Sequence, residues 1–180
     1  MNHPGIIIVG LGSPHGDDQA GWIAAQSAHS LLLQHPSTQS AAAVHCCTRP
    51  DELLQLAPHC CQLLICDSAK LNRPGANASP QNAFTRIAIP RPWTSSSLEG
   101  CLVWKQHSPS SHGIELPQIL ELIEIQNDYL GADAVIYAIH GYKYLPFTPP
   151  DQAVVAAAHA AAQHLFGGLQ EHHDSVPWQR

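Results

Sequence analysis

Charged side chains are scarce in this sequence, and basic ones are scarcer than acidic ones. Only 12% of the 180 residues are charged, and 8 Lys and Arg stand against 14 Asp and Glu, for a formal net charge of −6. Proteins that bind nucleic acids or anionic membranes present clustered positive charge. The composition therefore predicts that neither nucleic acid nor membrane is a partner. A hydrophobic content of 44% excludes a disordered chain.

Long hydrophobic runs are absent as well. No apolar stretch approaches the roughly 20 residues that span a bilayer. The opening residues Met1–Pro4 carry no basic segment, and the apolar run Gly5–Gly10 is too short for the core of a signal peptide. We therefore expect a cytoplasmic protein.

The six cysteines do not form a Cys-x-x-Cys motif, which argues against a thiol-rich zinc site or a thioredoxin-like centre. They occur as the vicinal pairs Cys46-Cys47 and Cys60-Cys61, with Cys66 and Cys101 alone. A chain of this length can bury a sizeable core without disulfide bonds. In a reducing compartment we expect free thiols.

Several common catalytic and nucleotide-binding motifs are missing. The sequence has no His-Glu-x-x-His, no Gly-x-Ser-x-Gly and no P-loop. The opening Gly10-Leu11-Gly12 resembles a dinucleotide fingerprint, but His15 stands where that motif requires its third glycine. Adjacent aspartates at the following helix start would also repel a pyrophosphate. These features exclude a nucleotide-binding loop.

The hydrophobic pattern alternates between buried strands and helices, which predicts an α/β fold with a mostly parallel sheet. The first half of the chain predicts a strand in Gly5–Gly12, a helix over Asp18–Gln34, a strand over Ala42–Thr48, a short helix over Asp51–Ala57 and a strand over Gln62–Asp67.

The second half of the chain continues this alternation within a single domain, residues 1–180. It predicts an edge strand over Ala83–Ile89, a short strand over Leu102–Lys105, a helix over Leu116–Gln126, a strand over Ala134–Ile139, a helix over Asp151–Phe166 ended by Gly167-Gly168, and a frayed tail over 169–180.

Two aspartates and one histidine are the candidate site residues. Asp18 follows the first predicted strand and Asp67 ends the third, and ligands in open α/β sheets bind at the carboxyl ends of strands. A single aspartate suffices to cap a helix, so we assign the cap to Asp17 and leave Asp18 as a ligand. His112 lies in a polar loop before a buried helix, where its imidazole can reach the same edge. Other histidines are expected to be solvated: His3, His15, His172 and His173.

Three separated motifs in this order resemble the hydrogenase maturation proteases. They are Gly10-Leu11-Gly12 with Gly16-Asp17-Asp18-Gln19-Ala20-Gly21, then Cys66-Asp67-Ser68-Ala69, then Ser111-His112-Gly113-Ile114-Glu115-Leu116. The resemblance spans roughly residues 5–166. It implies a three-layer α/β/α sandwich of the phosphorylase/hydrolase-like kind, with a mixed, mostly parallel sheet of five strands.

The resemblance also implies an activity. The family trims the C-terminal extension from the large-subunit precursor of nickel–iron hydrogenase. By motif, Asp18, Asp67 and His112 contact the nickel that the precursor supplies. Asp18 and Asp67 are the candidate catalytic residues, and two routes to hydrolysis stay open: the carboxylates activate water, or the bound metal polarises it. No organic cofactor is expected, and the protein is expected to be a monomer.

One segment departs from the family pattern and bears on substrate choice. A glycine-rich stretch is usual after the second strand, and Cys46-Cys47-Thr48-Arg49-Pro50 replaces it here. We predict that Thr48, Arg49 and Pro50 bind the substrate and select which hydrogenase is processed.

Two alternatives remain at this stage. A peptidyl-tRNA hydrolase shares the strand-Gly-x-Gly opening, although Asp17-Asp18 and the acidic charge disfavour it. A non-enzymatic nickel-binding maturation factor could use the same three ligands.

Overall fold

The computed structural model describes residues 5–35, 42–59, 61–70, 83–89, 91–94, 116–126 and 133–175. Its strands are β1 (Ile6–Leu11), β2 (Ala42–Cys47), β3 (Gln62–Lys70), β4 (Phe84–Ile89) and β5 (Asp133–Gly141). Its α-helices are α1 (Ala20–Gln34), α2 (Leu53–Leu56), α3 (Leu116–Gln126) and α4 (Gln152–Ser175). Short 3-10 turns cover Gly16–Gln19, Pro50–Glu52 and Ala57–His59.

The five strands form one mixed sheet in the order β2-β1-β3-β5-β4. β1 pairs in parallel with β2 and β3, and β3 pairs in parallel with β5. β4 is antiparallel to β5 and lies at the edge, as the neighbouring prolines predicted. The mostly parallel five-stranded sheet of the α/β fold is therefore confirmed.

Helices cover both faces of the sheet, which makes the three layers of the predicted sandwich. One core lies under α2 and α3 and takes Ile7, Val9, Leu63 and Ile65 from the strands. The other core lies under α1 and α4 and takes the alternate strand residues. Apolar residues on both faces of a strand give the continuous runs seen in β1 and β3, as is usual for parallel strands.

Glycine allows α1 to lie directly on the ends of the central strands. A Cβ atom on Gly21 would collide with the carbonyl oxygens of Leu11 and Cys66, and one on Gly10 would lie 2.8 Å from Cβ of Ala25. The absence of side chains therefore lets the start of α1 approach the carboxyl ends of β1 and β3. This close approach brings the loop between β1 and α1 to the candidate site.

The last helix runs further than its glycines indicate. It continues through Gly167 and Gly168 to Ser175, so the predicted end at Phe166 is wrong, and residues 169–175 of the predicted tail are helical. Leu169 is buried beside Phe166, and this packing offsets a cost of about 1 kcal/mol for each glycine in a helix. None of the described helices is long and apolar enough to cross a membrane.

Candidate active site

The candidate site lies at the carboxyl edge of the parallel strands. The loop after β1 carries Asp17 and Asp18, β3 carries Asp67, and the segment that joins β5 to α4 carries Tyr144. Parallel strands end at the same edge of a sheet, so side chains from distant parts of the sequence meet there. The site is built from these side chains.

Asp17 binds the backbone of the segment that joins β5 to α4. Its Oδ2 accepts hydrogen bonds from the backbone N–H groups of Tyr142 and Lys143, both at 2.7 Å, and its Oδ1 accepts one from Asp151 at 2.8 Å. The side chain is fully buried. The prediction that Asp17 caps its own helix is therefore wrong: it satisfies orphan N–H groups more than a hundred positions away in the sequence.

Asp18 is held by two serine hydroxyl groups. Ser13 donates to its Oδ2 at 2.5 Å, and Ser68 donates to its Oδ1 at 2.7 Å. The carboxylate is only partly buried. Because both oxygens accept an O–H group, the orientation of the carboxylate is fixed while part of it stays open to solvent. Such a group can bind a cation or accept a proton.

Asp67 lies inside β3 rather than at its end. The prediction that the strand ends there is wrong, because pairing with β5 continues through Lys70 and Gly141. The pairing of β3 with β1, however, ends at Cys66. Asp67 is therefore the first residue of β3 without a neighbour in β1, and its side chain is 2% exposed.

The hydroxyl of Tyr144 lies among these carboxylates. Burial raises the pKa of Tyr144 well above its usual range, and the carboxylates of Asp18, Asp67 and Asp17 raise it further. A hydrogen bond with the Ser68 side chain lowers the pKa, by less than burial raises it. The phenol therefore stays protonated.

The segment after β2 is folded tightly. Oε1 of Glu52 accepts hydrogen bonds from the backbone N–H groups of Thr48 and Arg49, both at 2.9 Å, and from the Thr48 hydroxyl at 3.1 Å. Burial raises the pKa of Glu52, but these hydrogen bonds bring it below the ordinary value of 4.5. Arg49 also forms a salt bridge of 3.2 Å with Asp51 and is 56% exposed. Its guanidinium is therefore accessible to solvent at the carboxyl end of β2.

His112 lies outside the described residues, so the predicted set of three ligands is described only for Asp18 and Asp67. Among the residues with described positions, no three His, Cys, Asp or Glu side chains are grouped to hold a metal ion. His15, predicted to be solvated, is half-buried: its Nδ1 lies 2.9 Å from the Ser13 hydroxyl, and its ring contacts Phe147. His3 lies outside the described residues, as do the side chains of His172 and His173.

Four of the cysteines are described, and all four are free: Cys46, Cys47, Cys61 and Cys66. Cys66 directly precedes Asp67 and is completely buried. Burial, then the nearby Asp67 carboxylate, raises the pKa of Cys66 to about 12. A thiol this hard to ionise is a poor nucleophile.

Three polar residues of the site were missed from the sequence. Ser68 directly follows Asp67, and Ser13 lies in the glycine-rich loop, so both were in motifs already singled out. Neither motif indicates that the two hydroxyls would meet one carboxylate. Nothing in the sequence pointed to Tyr144 as a site residue except its position after the last parallel strand.

The described residues adopt the fold seen in hydrogenase maturation proteases. The structure resembles the nickel–iron hydrogenase maturation protease HycI from Thermococcus kodakarensis, with a TM-score of 0.64 and 18% identity over 93% of each chain. It resembles the hydrogenase maturating endopeptidase HybD from E. coli, with a TM-score of 0.63 and 15% identity over 93% of each chain.

A third similar structure is the HybD protease from Thermococcus kodakarensis, with a TM-score of 0.58 and 16% identity over 91% of this chain and 98% of that one. No family model matches the sequence, and no curated protein matches it. At these identities the likeness establishes the fold.

Proposed function

We propose that the protein is an endopeptidase that removes the C-terminal extension of the nickel-loaded large subunit of a nickel–iron hydrogenase. One observation carries the proposal. On the fold shared with the hydrogenase maturation proteases, Asp18 is held at the sheet edge by Ser13 and by Ser68, the residue that follows Asp67 in β3. The sequence motifs that carry the family resemblance contribute both of these aspartates.

In this proposal the nickel belongs to the substrate. Asp18, Asp67 and His112 contact it, so that a precursor with its metal in place is recognised. A divalent cation offsets the repulsion between neighbouring carboxylates, which explains why a site would gather them at one edge. No organic cofactor takes part.

The carboxylates also supply the chemistry of hydrolysis. Asp18 is partly open to solvent, and its two hydroxyl donors fix the direction of its oxygens. From there it can orient a water molecule and accept its proton as the water attacks the peptide carbonyl. Asp67 is buried and adds negative charge that holds the cation of the substrate.

Substrate choice is assigned to Thr48, Arg49 and Pro50. Glu52 fixes the backbone of this segment, and the exposed Arg49 can meet an acidic or polar group on the precursor. The precursor is then the only macromolecular partner that we propose, and the enzyme acts as a cytoplasmic monomer.

The test is cleavage of a purified precursor. Wild-type protein is incubated with nickel-loaded and with nickel-free precursor, and the masses of the products are measured by mass spectrometry. We expect one shortened large subunit and one released peptide from the loaded precursor alone. Retention of nickel or precursor without cleavage would favour a nickel-binding maturation factor, and release of the peptide from peptidyl-tRNA would favour the hydrolase alternative.

A matched pair of variants connects the result to the site. Asp18→Asn should abolish cleavage. Asp133→Asn removes an exposed carboxylate at the opposite end of the sheet, where β5 begins, and should leave cleavage unchanged. Equal loss of cleavage in Asp18→Asn and Asp133→Asn would contradict the assignment of the active site to Asp18.

A further inference from the structure

His15 is connected to the carboxylate of Asp18 through one hydroxyl group. Its Nδ1 lies 2.9 Å from Oγ of Ser13, and the same Oγ lies 2.5 Å from Oδ2 of Asp18. Ser13 therefore stands between the imidazole and the carboxylate, and the three side chains form a continuous His15–Ser13–Asp18 network. The proposed hydrolysis uses Asp18 but gives His15 no role.

The direction of each hydrogen bond in this network follows from counting protons. A serine hydroxyl has one proton to donate and two lone pairs that accept, whereas a carboxylate only accepts. The proton of Ser13 is therefore directed at Asp18. The contact between Ser13 and His15 is then a hydrogen bond only if Nδ1 of His15 is the donor. His15 must carry a proton on Nδ1, whether its ring is neutral or cationic.

The half-buried imidazole is held in place by its neighbours. Its ring meets the ring of Phe147 edge to face, with centroids 5.4 Å apart. The backbone N–H of Phe147 donates to the carbonyl of Pro14 at 3.0 Å, and that of His15 donates to the carbonyl of Ser13 at 2.8 Å. These contacts keep Nδ1 of His15 directed at the Ser13 hydroxyl.

We propose that His15 is a positioning residue, whose Nδ1–H group keeps the hydroxyl proton of Ser13 on Asp18. The inference rests on the proposed endopeptidase function, in which Asp18 orients the attacking water and accepts its proton. A serine hydroxyl with an empty lone pair is free to rotate among several partners. Donation from His15 fixes that rotation. Hydrogen bonds in such a network also polarise one another, which strengthens the bond from Ser13 to Asp18.

The consequence for catalysis is a carboxylate with one orientation. Ser68 donates to Oδ1 of Asp18 at 2.7 Å, and the network through Ser13 holds Oδ2. A proton acceptor that is oriented before the substrate binds does not have to be ordered during the reaction, and this lowers the barrier. His15 acts only through Ser13 and adds no covalent step.

The first test observes the protons of His15 directly and needs no substrate. Nitrogen-15 NMR distinguishes the two neutral forms of an imidazole, and histidines are neutral at about pH 8.5. Loss of one set of signals in His15→Phe assigns the resonances. We expect wild-type His15 to carry its proton on Nδ1, and we expect the proton to move to Nε2 in Ser13→Ala, where the acceptor is gone.

Two results of this test would overturn the inference. A proton on Nε2 in the wild-type protein would mean that Ser13 donates to His15 and not to Asp18. A proton that stays on Nδ1 in Ser13→Ala would mean that another group, and not the Ser13 hydroxyl, sets the form of the ring.

The second test measures kcat/KM on nickel-loaded precursor. We expect His15→Phe to lower kcat/KM by roughly tenfold, because it removes one hydrogen bond of the network. His15→Asn should recover most of this loss, since the NH₂ group of asparagine can donate from the position of Nδ1. The control His29→Phe changes an exposed histidine of α1 and should leave kcat/KM unchanged.

A double-mutant cycle shows whether the effect of His15 passes through Ser13. In a Ser13→Ala background, His15→Phe should lower kcat/KM no further. A further loss of similar size would overturn the inference, and so would full activity in His15→Phe or an equal loss in His15→Asn. If wild-type protein cleaves no loaded precursor, the proposed function fails, while the NMR result still decides whether His15 donates to Ser13.

Discussion

The carboxylates of Asp17 and Asp18 are adjacent in the sequence but bind different parts of the fold. Asp17 is fully buried and accepts three backbone N–H groups from the segment after β5. Asp18 is partly exposed and accepts two serine hydroxyls, one from its own loop and one from β3. The first carboxylate therefore holds the backbone of the site together, and the second is available to a ligand.

This difference predicts that Asp17→Asn is destabilising. The amide can place only one oxygen where the carboxylate placed two, so its NH₂ group must face a backbone N–H group. We expect a loss on the order of 3 kcal/mol in the free energy of unfolding, which lowers the midpoint of thermal unfolding by roughly 10 °C. Denaturant titration followed by circular dichroism measures it, and a loss below about 0.5 kcal/mol would contradict this role.

Asp18→Asn should show the opposite pattern. Serine hydroxyls can rotate to accept as well as donate, so the amide keeps its partners, and we expect stability to change by less than about 1 kcal/mol. Cleavage of loaded precursor should nevertheless be lost. Asp67→Asn should likewise remain folded and inactive. Inactive protein that is also unfolded would instead support a structural role for the carboxylate.

Glu52 should contribute stability that depends on pH. A carboxylate with a lowered pKa stabilises the folded state above its ordinary value, here 4.5, and that contribution disappears as the pH falls through the lowered value. Glu52→Gln keeps the acceptor oxygen and removes the charge. We expect the free energy of unfolding of the wild type to exceed that of this variant by no more than about 1 kcal/mol at pH 7, since solvent screens the carboxylate.

The difference in free energy of unfolding between wild type and Glu52→Gln should disappear as the pH is lowered. Denaturant titrations of both proteins at several values between pH 7 and pH 3 measure it. A difference that stays constant over this pH range would show that the charge of Glu52 does not cause the difference in stability.

The cysteines should differ sharply in reactivity. Cys61 is exposed, whereas Cys66 is buried and its pKa is raised to about 12. Iodoacetamide at pH 8 should therefore modify Cys61 in the native protein long before Cys66, as read from fragment ions after digestion. In denaturant the two should react alike. Equal rates in the native protein would mean that the strand around Cys66 opens readily.

Exchange of residues 46–50 for a glycine-rich segment should alter substrate choice. These residues follow β2 at the edge of the site, and we assign them no part in metal contact. With Glu52 retained to hold the backbone, the exchanged protein should trim a different large subunit and still require nickel. A folded product that is inactive on every precursor would contradict the assignment.

The sequence predicted the parts of this fold that depend on local pattern. β1 and β3 were recognisable because both faces of each strand are buried, and α3 because its apolar residues share one face and Pro117 stands in its first turn. Asp18 and Asp67 were found because parallel strands end at one edge. The lengths of β3 and α4 were misjudged because pairing with β5 and burial of Leu169 are tertiary effects.

The role of Asp17 was beyond the reach of local reasoning. A helix cap is the common use of an aspartate at a helix start, and nothing nearby in the sequence indicates that Tyr142 and Asp151 supply its donors. The hydrogen bonds from Ser13 and Ser68 to Asp18 could not be predicted from local sequence for the same reason. Such contacts depend on how the strands are ordered in the sheet.

The hydrogen bonds that Asp17 accepts from the backbone N–H groups of Tyr142, Lys143 and Asp151 bear on when the candidate site is completed during synthesis of the chain. A ribosome makes the chain from its N-terminus, so the loop that carries Asp18 is produced early. The segment that completes its surroundings emerges only after most of the chain has been translated. A growing polypeptide therefore lacks the finished surroundings of Asp18 until residue 151 has left the ribosome.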